Sequence, residues 1–268
     1  MQGVEGTLWA DHRAAGVGYT FVGLTLGCAA GALVRSTPLA VALSVAGRGL
    51  REAAGLVADP LGDNDLDTAR TNLRSLVGRD PSQLDASGIA AAVIESVAEN
   101  SVDAVVAPAF WGLVAGAPGT LAYRSINTMD AMVGHRNERY KNFGWASARL
   151  DDVANYVPAR CFVALVALAK PERTSAIWRL VQRDARAHPS PNAGVAETAV
   201  AAAIDKQLGG PLRYGERQEL RPTLGDGLRP QAADIDTAVA VANRTEAVLV
   251  GALGAGAVAS LLRSWARG

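Results

Sequence analysis

ESVAENSVDAVVAPAFWGLVAGAPGTLAY, residues 95–123, is the stretch that decides the fold of this chain. Its second part, residues 104–123, carries no charged side chain, and its twenty positions are about the length that crosses the hydrocarbon core of a bilayer. Pro108 and Pro118 interrupt it, which a membrane helix tolerates where neighbouring helices satisfy the freed backbone groups. The stretch therefore predicts a transmembrane helix, and a buried helix of a soluble all-α protein is the alternative that stays open.

Three carboxylates precede this apolar segment at regular spacing. Glu95, Glu99 and Asp103 are four residues apart, so on a helix they share one face. Like charges at this spacing repel by about 0.2–0.5 kcal/mol per exposed pair unless a cation lies between them. The spacing therefore predicts a metal ion or a cationic ligand at the mouth of the membrane segment.

Further apolar runs occupy residues 14–34, 36–47, 153–169 and 247–262. The first is long enough to span a bilayer, and the second is too short to cross alone. Residues 153–169 contain Pro158 and Arg160, so they form either a kinked helix with Arg160 facing a cavity or a re-entrant piece. We favour a re-entrant or interfacial course, because a crossing would place HRNERYK and HPSPNAG on opposite faces of the membrane. The predicted fold class is therefore all-α: a multi-pass integral membrane protein with amphipathic or interfacial helices and polar loops, in a single membrane-embedded domain, residues 1–268.

Ionisable residues are densest after the membrane segment. Arg124, Asn127 and Asp130 are three residues apart, so on a helix these groups converge, and Gly134 is expected to end that helix. The next run, HRNERYK, is basic and can hold a phosphate or a carboxylate, with arginine in bidentate geometry. A positive-inside anchor beside a membrane helix, which needs no ligand, stays open as the alternative. The basic side chains of this run are His135, Arg136, Arg139 and Lys141.

Polar residues recur later in the chain. Asp151 and Asp152 are adjacent, so on a helix they point about 100° apart and we expect one of them to face the other carboxylates. Two prolines make HPSPNAG, residues 188–194, a rigid loop that presents three polar side chains in fixed positions. These side chains are His188, Ser190 and Asn192. Residues 213–231 are predicted to be irregular.

Composition and the absence of common motifs narrow the possible functions. Acidic and basic residues are equal in number, 26 each, which removes the simplest argument for nucleic-acid binding. Cys28 and Cys161 lie in apolar runs without metal-ligand or redox spacing, so we expect both to be buried as small apolar side chains. The sequence contains no P-loop, no dinucleotide-binding glycine motif, no GxSxG and no HExxH. The N-terminal residues lack the pattern of a cleaved signal peptide.

Three blocks of the sequence together resemble one protein family. They are ESVAENSVDAVVAP, RSINTMDAMVGHRNERYKNFGWASARLDDVANYVPAR and HPSPNAG with LGGPLRYG. In this order they resemble the CbiB/CobD family of cobalamin biosynthesis, and a weaker similarity extends over nearly the whole chain. The resemblance implies a multi-pass protein of the cell (inner) membrane that acts as an adenosylcobinamide-phosphate synthase. The implied reaction joins a propionate carboxylate of adenosylcobyric acid to the amine of 1-amino-2-propanol or its O-phosphate, with ATP consumed.

The resemblance also implies roles for the polar residues. Phosphorylation of the carboxylate to an acyl phosphate drives amide formation, and Mg²⁺ neutralises the phosphoryl group. The residues predicted to bind Mg²⁺ or to deprotonate the attacking ammonium are Glu95, Glu99, Asp103, Asp130 and Asp151. Of these, the predicted metal ligands are Glu99, Asp103 and Asp130. The residues predicted to bind substrate or phosphate are Asn100, Asn127, Arg136, Arg139, Lys141, His188, Ser190 and Asn192.

Two other classes of function stay open at this point. A non-catalytic scaffold or corrinoid-binding subunit for nucleotide-loop assembly fits the absence of a nucleotide motif, and a small transporter fits intramembrane prolines beside carboxylates. The expected partners are the corrinoid, the amine, membrane lipid and other membrane enzymes of the cobalamin pathway, with no nucleic acid. Isosteric replacement of Glu99 and Asp103 separates the classes, because a ligase loses turnover while still inserting and a scaffold loses nothing.

Overall fold

The computed structural model describes residues 2–78, 80–135, 137–214 and 217–265, and these are almost entirely helical, which confirms the predicted all-α class. The longer helices are α1 (Gln2–Leu8), α2 (Arg13–Val34), α3 (Thr37–Ser44), α4 (Gly47–Gly62), α5 (Leu66–Leu73), α6 (Ala86–Ser101), α7 (Ala107–Val133), α8 (Trp145–Ala154), α9 (Tyr156–Ala169), α10 (Thr174–Asp184), α11 (Ala193–Ile204) and α12 (Ala232–Trp265). Short helical turns cover Val102–Val106, Pro171–Arg173 and Ala185–Ala187, and the strands are β1 (Leu208–Tyr214) and β2 (Arg217–Leu224).

Within the described ranges, three helical stretches are long and apolar enough to cross a membrane. They are Arg13–Val34, Ala86–Val133 and Ala232–Ala259. Helices α8 and α9 pass the same test as a pair but are bent by 40° at their junction, which fits either a broken span or a re-entrant segment. The predicted transmembrane segment 104–123 lies inside the second stretch. The re-entrant course expected for residues 153–169 stays a prediction.

The described helices group into two compact units, each built from two separate parts of the chain. The first unit comprises Met1–Gly47 and Val102–Ala159, and the second comprises Arg48–Ser101 and Arg160–Gly268. We call them unit 1 and unit 2. The chain passes from unit 2 back to unit 1 between Ser101 and Val102, so the stretch that organises the sequence contributes residues to both.

A π-helical turn begins at Val102, where the chain returns to unit 1, and it changes the angular positions of the three regularly spaced carboxylates around the helix axis. Glu95 and Glu99 lie on α6, whereas Asp103 lies in the π-helical turn Val102–Val106. In a π-helix the hydrogen bonds join residues five apart, so the angular position of each residue departs from that of an α-helix. The prediction of one continuous acidic face is therefore wrong at Asp103, although it holds for Glu95 and Glu99.

Unit 1 is built on close packing of α2 against α7. Glycines on α2 allow the two backbones to approach: a Cβ atom on Gly27 would lie 2.5 Å from Ser125 Oγ and 2.7 Å from the Leu121 carbonyl oxygen. Small residues at helix interfaces serve this purpose in membranes, where association depends on van der Waals packing. The adjoining core contains the buried aromatic side chains of Tyr19, Tyr123 and Phe143.

Helix α7 is kinked where the sequence predicted an interruption. Ala115 and Gly116 leave helical geometry, and Gly116 has φ +64°, a conformation that glycine adopts without steric cost. Pro118, two residues after Gly116, lacks the backbone N–H of a regular helix. The end of α7 at Gly134 also confirms the prediction, since the Gly134 N–H donates to the Asp130 carbonyl oxygen.

Unit 2 packs α11 and α12 against α6, and α10 against α11. The sequence predicts a helix start at Ser82 or Asp85, and Asp85 is the residue that caps α6: its Oδ1 accepts a hydrogen bond of 2.7 Å from the Gly88 N–H. Helix α10 is amphipathic: it buries Ile177 and Leu180 and leaves Trp178 42% exposed. Helix α11, which is almost entirely Ala, Val and other small residues, is buried on all sides.

The irregular course predicted for residues 213–231 is wrong over much of its length. Strands β1 and β2 pair antiparallel, with a register shift between Leu208 and Gly210. Glycine and proline are depleted in strands, so LGGPLRY does not carry the alternation that indicates one. The sequence also predicts a short helix over 197–208, whereas α11 begins earlier, at Ala193, and ends at Ile204, after which Asp205 adopts left-handed backbone geometry with φ +58°.

The two cysteines are free thiols, and the predicted burial comes close to the structure for only one of them. Cys161 is half-buried on α9, but Cys28 is exposed on the surface of α2, so the expectation that both are buried is wrong for Cys28. An apolar run that faces lipid exposes small side chains in the same way as leucines, and the exposed Phe21 and Leu33 lie on this same helix.

Candidate active site

The predicted site residues divide between the two units. Unit 1 contains Asp103, Asn127, Asp130, Arg139, Lys141 and Asp151. Unit 2 contains Glu95, Glu99, Asn100, His188, Ser190 and Asn192. Arg136 lies outside the described residues. Among its described residues, each unit holds a cluster of ionisable and amide side chains.

The cluster of unit 1 links the π-helical turn, α7 and α8. Asp103 Oδ2 accepts a hydrogen bond of 3.1 Å from Asn127 Nδ2, and Asn127 Oδ1 accepts one of 3.0 Å from Arg124. The Tyr123 hydroxyl donates to Asn155 Oδ1 at 2.9 Å and lies 3.5 Å from Asp103 Oδ1. We call the five side chains of Asp103, Tyr123, Asn127, Asp151 and Asn155 the aspartate cluster.

The two carboxylate oxygens of Asp151 differ in their hydrogen bonding. Its Oδ2 accepts a hydrogen bond of 3.0 Å from Asn155 Nδ2, whereas its buried Oδ1 makes no hydrogen bond of normal geometry among the described residues, although the Asn127 amide is near enough to stabilise the carboxylate. Asp103 and Asp130 act on it electrostatically as like charges. A buried carboxylate oxygen without a donor costs stability, so a donor or a cation supplied by a ligand would satisfy it.

The two adjacent aspartates of α8 have different surroundings. Asp151 belongs to the aspartate cluster, while Asp152 lies 3.9 Å from Arg149 on α8 itself. Asp130 interacts electrostatically with Asp152 and His135, which places it toward the edge of the cluster. Sequence reasoning missed Tyr123 and Asn155, because one ends an apolar run and the other lies between two helices with no motif to mark it.

The aspartate cluster has the donors for a magnesium ion that is held by two carboxylates and completed by water and substrate phosphate. Within the described ranges, no group of three or more His, Cys, Asp or Glu side chains is arranged to hold a metal ion. Mg²⁺, however, is often held by one or two carboxylates, with water and substrate phosphate completing its octahedron. Asp103 and Asp151 supply carboxylates of this type, and the unsatisfied Asp151 Oδ1 is the observation that favours such a ligand. The predicted third partner, Glu99, lies in the other unit.

The basic run of unit 1 contacts the N-terminal helix. Arg139 lies 3.3 Å from the Glu5 carboxylate and stacks 5.1 Å above the Trp9 ring, and Tyr140 donates to the same carboxylate at 2.8 Å. Lys141 is exposed. The phosphate-binding roles of Arg139 and Lys141 stay predictions, and in this structure Arg139 serves to fix the loop after α7 to α1.

The cluster of unit 2 is formed by α6, α11 and the loop before α11. Glu95 Oε1 accepts a hydrogen bond of 3.0 Å from the Gly209 N–H, and Glu99 interacts with Glu197. His188 Nε2 lies 3.7 Å from Glu197 Oε1. We call the side chains of Glu95, Glu99, His188 and Glu197 the histidine–glutamate cluster. Sequence reasoning missed Glu197, although a single carboxylate inside the uncharged helix GVAETAVAAAI was a usable signal.

The predicted loop HPSPNAG does hold its polar residues in fixed positions. Ser190 Oγ accepts hydrogen bonds from the Asn192 and Ala193 N–H groups at 3.3 and 3.2 Å, so it caps the start of α11. Arg160 donates to Asn192 Oδ1 at 2.9 Å and to the Pro191 carbonyl at 3.1 Å. Burial lowers the pKa of His188 below its ordinary value of 6.5, so its imidazole is neutral at pH 7. Asn100 bonds to Ser96 on its own helix.

Replacing Arg160 by Met is expected to loosen this loop without removing any residue of the histidine–glutamate cluster. The change removes two hydrogen bonds from a charged donor and should lower the free energy of unfolding by about 1–2 kcal/mol. Hydrogen exchange at the amides of residues 190–193 should become faster. Arg186→Met, on an exposed side chain nearby, is the matched control, and equal exchange in both variants would contradict the role given to Arg160.

Together these features define an all-α membrane protein with buried clusters of ionisable side chains. A family model described as CobD/Cbib protein matches residues 3–242, and the chain belongs to this family. The cobalamin biosynthesis protein CobD of Mycobacterium tuberculosis is 46% identical over 220 residues, which cover 80% of this chain and 69% of that protein. The protein of the same description from Rhodobacter capsulatus is 47% identical, and the match covers 80% of this chain and 68% of that protein. The one from Brucella suis is 43% identical, and the match covers 83% of this chain and 69% of that protein. No solved structure gives a significant match.

Proposed function

We propose that this chain is an amide-forming ligase of cobalamin biosynthesis in the cell (inner) membrane, with several membrane passages. The family and the descriptions of its relatives support a role in cobalamin biosynthesis. The proposed reaction is the ATP- and Mg²⁺-dependent joining of adenosylcobyric acid to 1-amino-2-propanol or its O-phosphate. The observation that carries the proposal is the aspartate cluster, with its unsatisfied buried carboxylate oxygen on Asp151.

The proposed chemistry requires the cluster to bind negative phosphoryl oxygens through a cation. Bound Mg²⁺ would supply charge neutralisation at the phosphoryl group that activates the substrate carboxylate. Asp103 and Asp151 would hold the ion. Asn127 donates to Asp103 and Asn155 donates to Asp151, so each carboxylate is oriented by an amide before any ligand arrives. Such prior orientation reduces the cost of reorganisation during the reaction.

Tyr123 joins the two halves of the cluster. Its ring is buried, and its hydroxyl hydrogen bonds to Asn155 while lying near Asp103. Tyr123 thus connects Asp103 to Asn155, and Asn155 orients Asp151. A movement of the π-helical turn that carries Asp103 would therefore also affect the hydrogen bonds of Asn155. This connection assigns Tyr123 a positioning role, since its hydroxyl contacts amide and carboxylate side chains of the cluster.

The proposal is tested by a mass-spectrometric assay on the detergent-purified chain. Adenosylcobyric acid, aminopropanol or its phosphate, ATP and Mg²⁺ are supplied together, and ADP is measured in the same reaction. A product with the mass of the amide that appears together with ADP and requires every component supports the ligase. If the corrinoid binds but no amide forms, the scaffold or corrinoid-binding subunit replaces the ligase as the preferred function.

A further inference from the structure

We propose that Trp111 is a positioning residue for the aspartate cluster of unit 1. Its indole N–H holds the C-terminal end of α8, and through it the side chains of Asp151 and Asn155. The consequence for the reaction rests on the proposed function, whereas the contacts themselves lie within unit 1. Trp111 belongs to the apolar run 104–123, whose composition indicated only a membrane span.

A backbone carbonyl at the end of α8 lacks its helical donor. In an α-helix the carbonyl of residue 154 accepts a hydrogen bond from the N–H of residue 158. Residue 158 is a proline, which has no N–H, and the next donor, Ala159 N–H, binds the Asn155 carbonyl at 2.9 Å. Ala154 is 4% exposed, so water has little access to its carbonyl. Because a buried carbonyl without a donor costs free energy, the fold requires another donor at this point.

Trp111 of α7 supplies this donor. Its Nε1 lies 3.1 Å from the Ala154 carbonyl oxygen, and an indole N–H donates without accepting. The ring packs against the buried core that contains Tyr123 and meets the Phe110 ring edge-on, with centroids 5.5 Å apart. These contacts fix the direction from which the N–H approaches. A neighbouring helix thus satisfies the carbonyl that proline leaves free, as membrane helices with proline require.

The residue after Ala154 belongs to the aspartate cluster. Asn155 donates to Asp151 Oδ2 at 3.0 Å and accepts from the Tyr123 hydroxyl at 2.9 Å. Helix α8 ends at Ala154 and α9 begins at Tyr156, so Asn155 lies where the two helices meet. Trp111 and Tyr123 both lie on α7 and bind consecutive residues of this junction. Helix α7 therefore fixes the junction at two adjacent points, and these determine where the Asn155 amide is directed.

The N-terminal part of α8 is held by a different contact. The hydroxyl of Ser147 lies 2.9 Å from that of Thr20 on α2, and both side chains are buried. Ser147 is one helical turn before Asp151. Loss of the indole N–H should therefore loosen the end of α8 that carries Asp151 and Asn155, while the other end stays attached to α2.

The test measures Mg²⁺ binding to the full-length chain in detergent by isothermal titration calorimetry, without ATP or corrinoid. Trp111→Phe keeps an aromatic ring and removes the N–H. We expect the Kd for Mg²⁺ to rise about 3- to 30-fold and hydrogen exchange at the Asn155 and Ala159 amides to become faster. Trp178→Phe, on an exposed tryptophan of α10, is the matched control and should bind Mg²⁺ as the unchanged protein does.

A second variant separates positioning from support of the fold. Adding Pro158→Ala to Trp111→Phe supplies a backbone N–H for the Ala154 carbonyl, so the unfolding temperature should return toward that of the unchanged protein. The affinity for Mg²⁺ should stay lowered, because the donor then comes from α9 and no longer ties the junction to α7. Recovery of both quantities would mean that Trp111 only satisfies a carbonyl, and the positioning role would be wrong. The double variant also keeps the test decisive where Trp111→Phe alone does not fold.

The outcomes distinguish this role from the proposed function. Unchanged affinity in folded Trp111→Phe, an equal loss in Trp178→Phe, or no Mg²⁺ binding to the unchanged protein would overturn the role. Amide formation is measured separately on the same preparations. Amide formation with unaltered Mg²⁺ affinity in Trp111→Phe would leave the ligase and remove the positioning role. Mg²⁺ binding that depends on Trp111, without amide formation by the unchanged protein, would do the reverse.

Discussion

Replacing Asp151 by Asn is expected to reduce the rate of amide formation by about 100-fold or more, while the protein still inserts and folds. The asparagine keeps the shape of the side chain but removes the charge that would hold a Mg²⁺ ion. It also places an amide where the buried Oδ1 now makes no hydrogen bond of normal geometry. Because burial and the like charges of Asp103 and Asp130 disfavour the native carboxylate, this substitution should leave the free energy of unfolding unchanged or raise it. A loss of rate with gained stability is the signature of a functional carboxylate.

Asp152→Asn is the matched control for this experiment. The two residues are adjacent on α8, but the Asp152 carboxylate is 33% exposed and lies 3.9 Å from Arg149. Its removal should change the rate by less than about 5-fold, because a half-buried surface pair of this kind contributes at most about 1 kcal/mol. The assay is the same measurement of amide mass and ADP. If both variants lost activity equally, the distinction drawn between the two aspartates would be wrong.

Patterns that depend on local chemistry were predictable from the sequence. The apolar run 104–123 lies in a helix long enough to span, Asp85 caps α6, and Gly134 ends α7. Each of these follows from composition or from the conformational preference of one residue. The rigid loop 188–194 was predictable for the same reason, since two prolines restrict its backbone.

The clusters themselves depend on contacts between distant parts of the chain, which periodicity does not reveal. Asn155 joins the aspartate cluster through Tyr123, which is 32 positions earlier, and Glu95 meets the backbone of Gly209 across 114 positions. The regular spacing of Glu95, Glu99 and Asp103 suggested one site because an α-helix was assumed throughout. The π-helical turn at Val102–Val106 altered that spacing, and nothing in VDAVV marks such a turn.

The carboxylates at the regular spacing in the sequence are divided between the two units of the structure. The π-helical turn assigns Asp103 to the amide-supported cluster of unit 1 and leaves Glu99 beside His188 and Glu197 in unit 2.

The packing of unit 1 leads to the second prediction with a large expected effect. Gly31 lies on α2 where that helix meets α7, and a Cβ atom there would be 2.4 Å from both the Ala117 carbonyl oxygen and Pro118 Cα. These contacts are with backbone and a proline ring, so no flexible side chain can move aside. The kink at Gly116 lies directly before them and fixes the course of α7 at this point.

Gly31→Ala is therefore expected to lower the free energy of unfolding by about 1–3 kcal/mol, because the two helices must separate to admit one methyl group. Gly18→Ala is the control on the same helix, since a Cβ atom there meets no atom within 4 Å. That change should leave stability unchanged or raise it by up to about 1 kcal/mol, as alanine restricts the unfolded chain more than glycine does. Unfolding in mixed detergent micelles measures both variants, and effects of the same sign would mean that α2 and α7 do not pack through Gly31. Opposite signs would establish that close approach of these helices, and not helix propensity, keeps the glycine at this position.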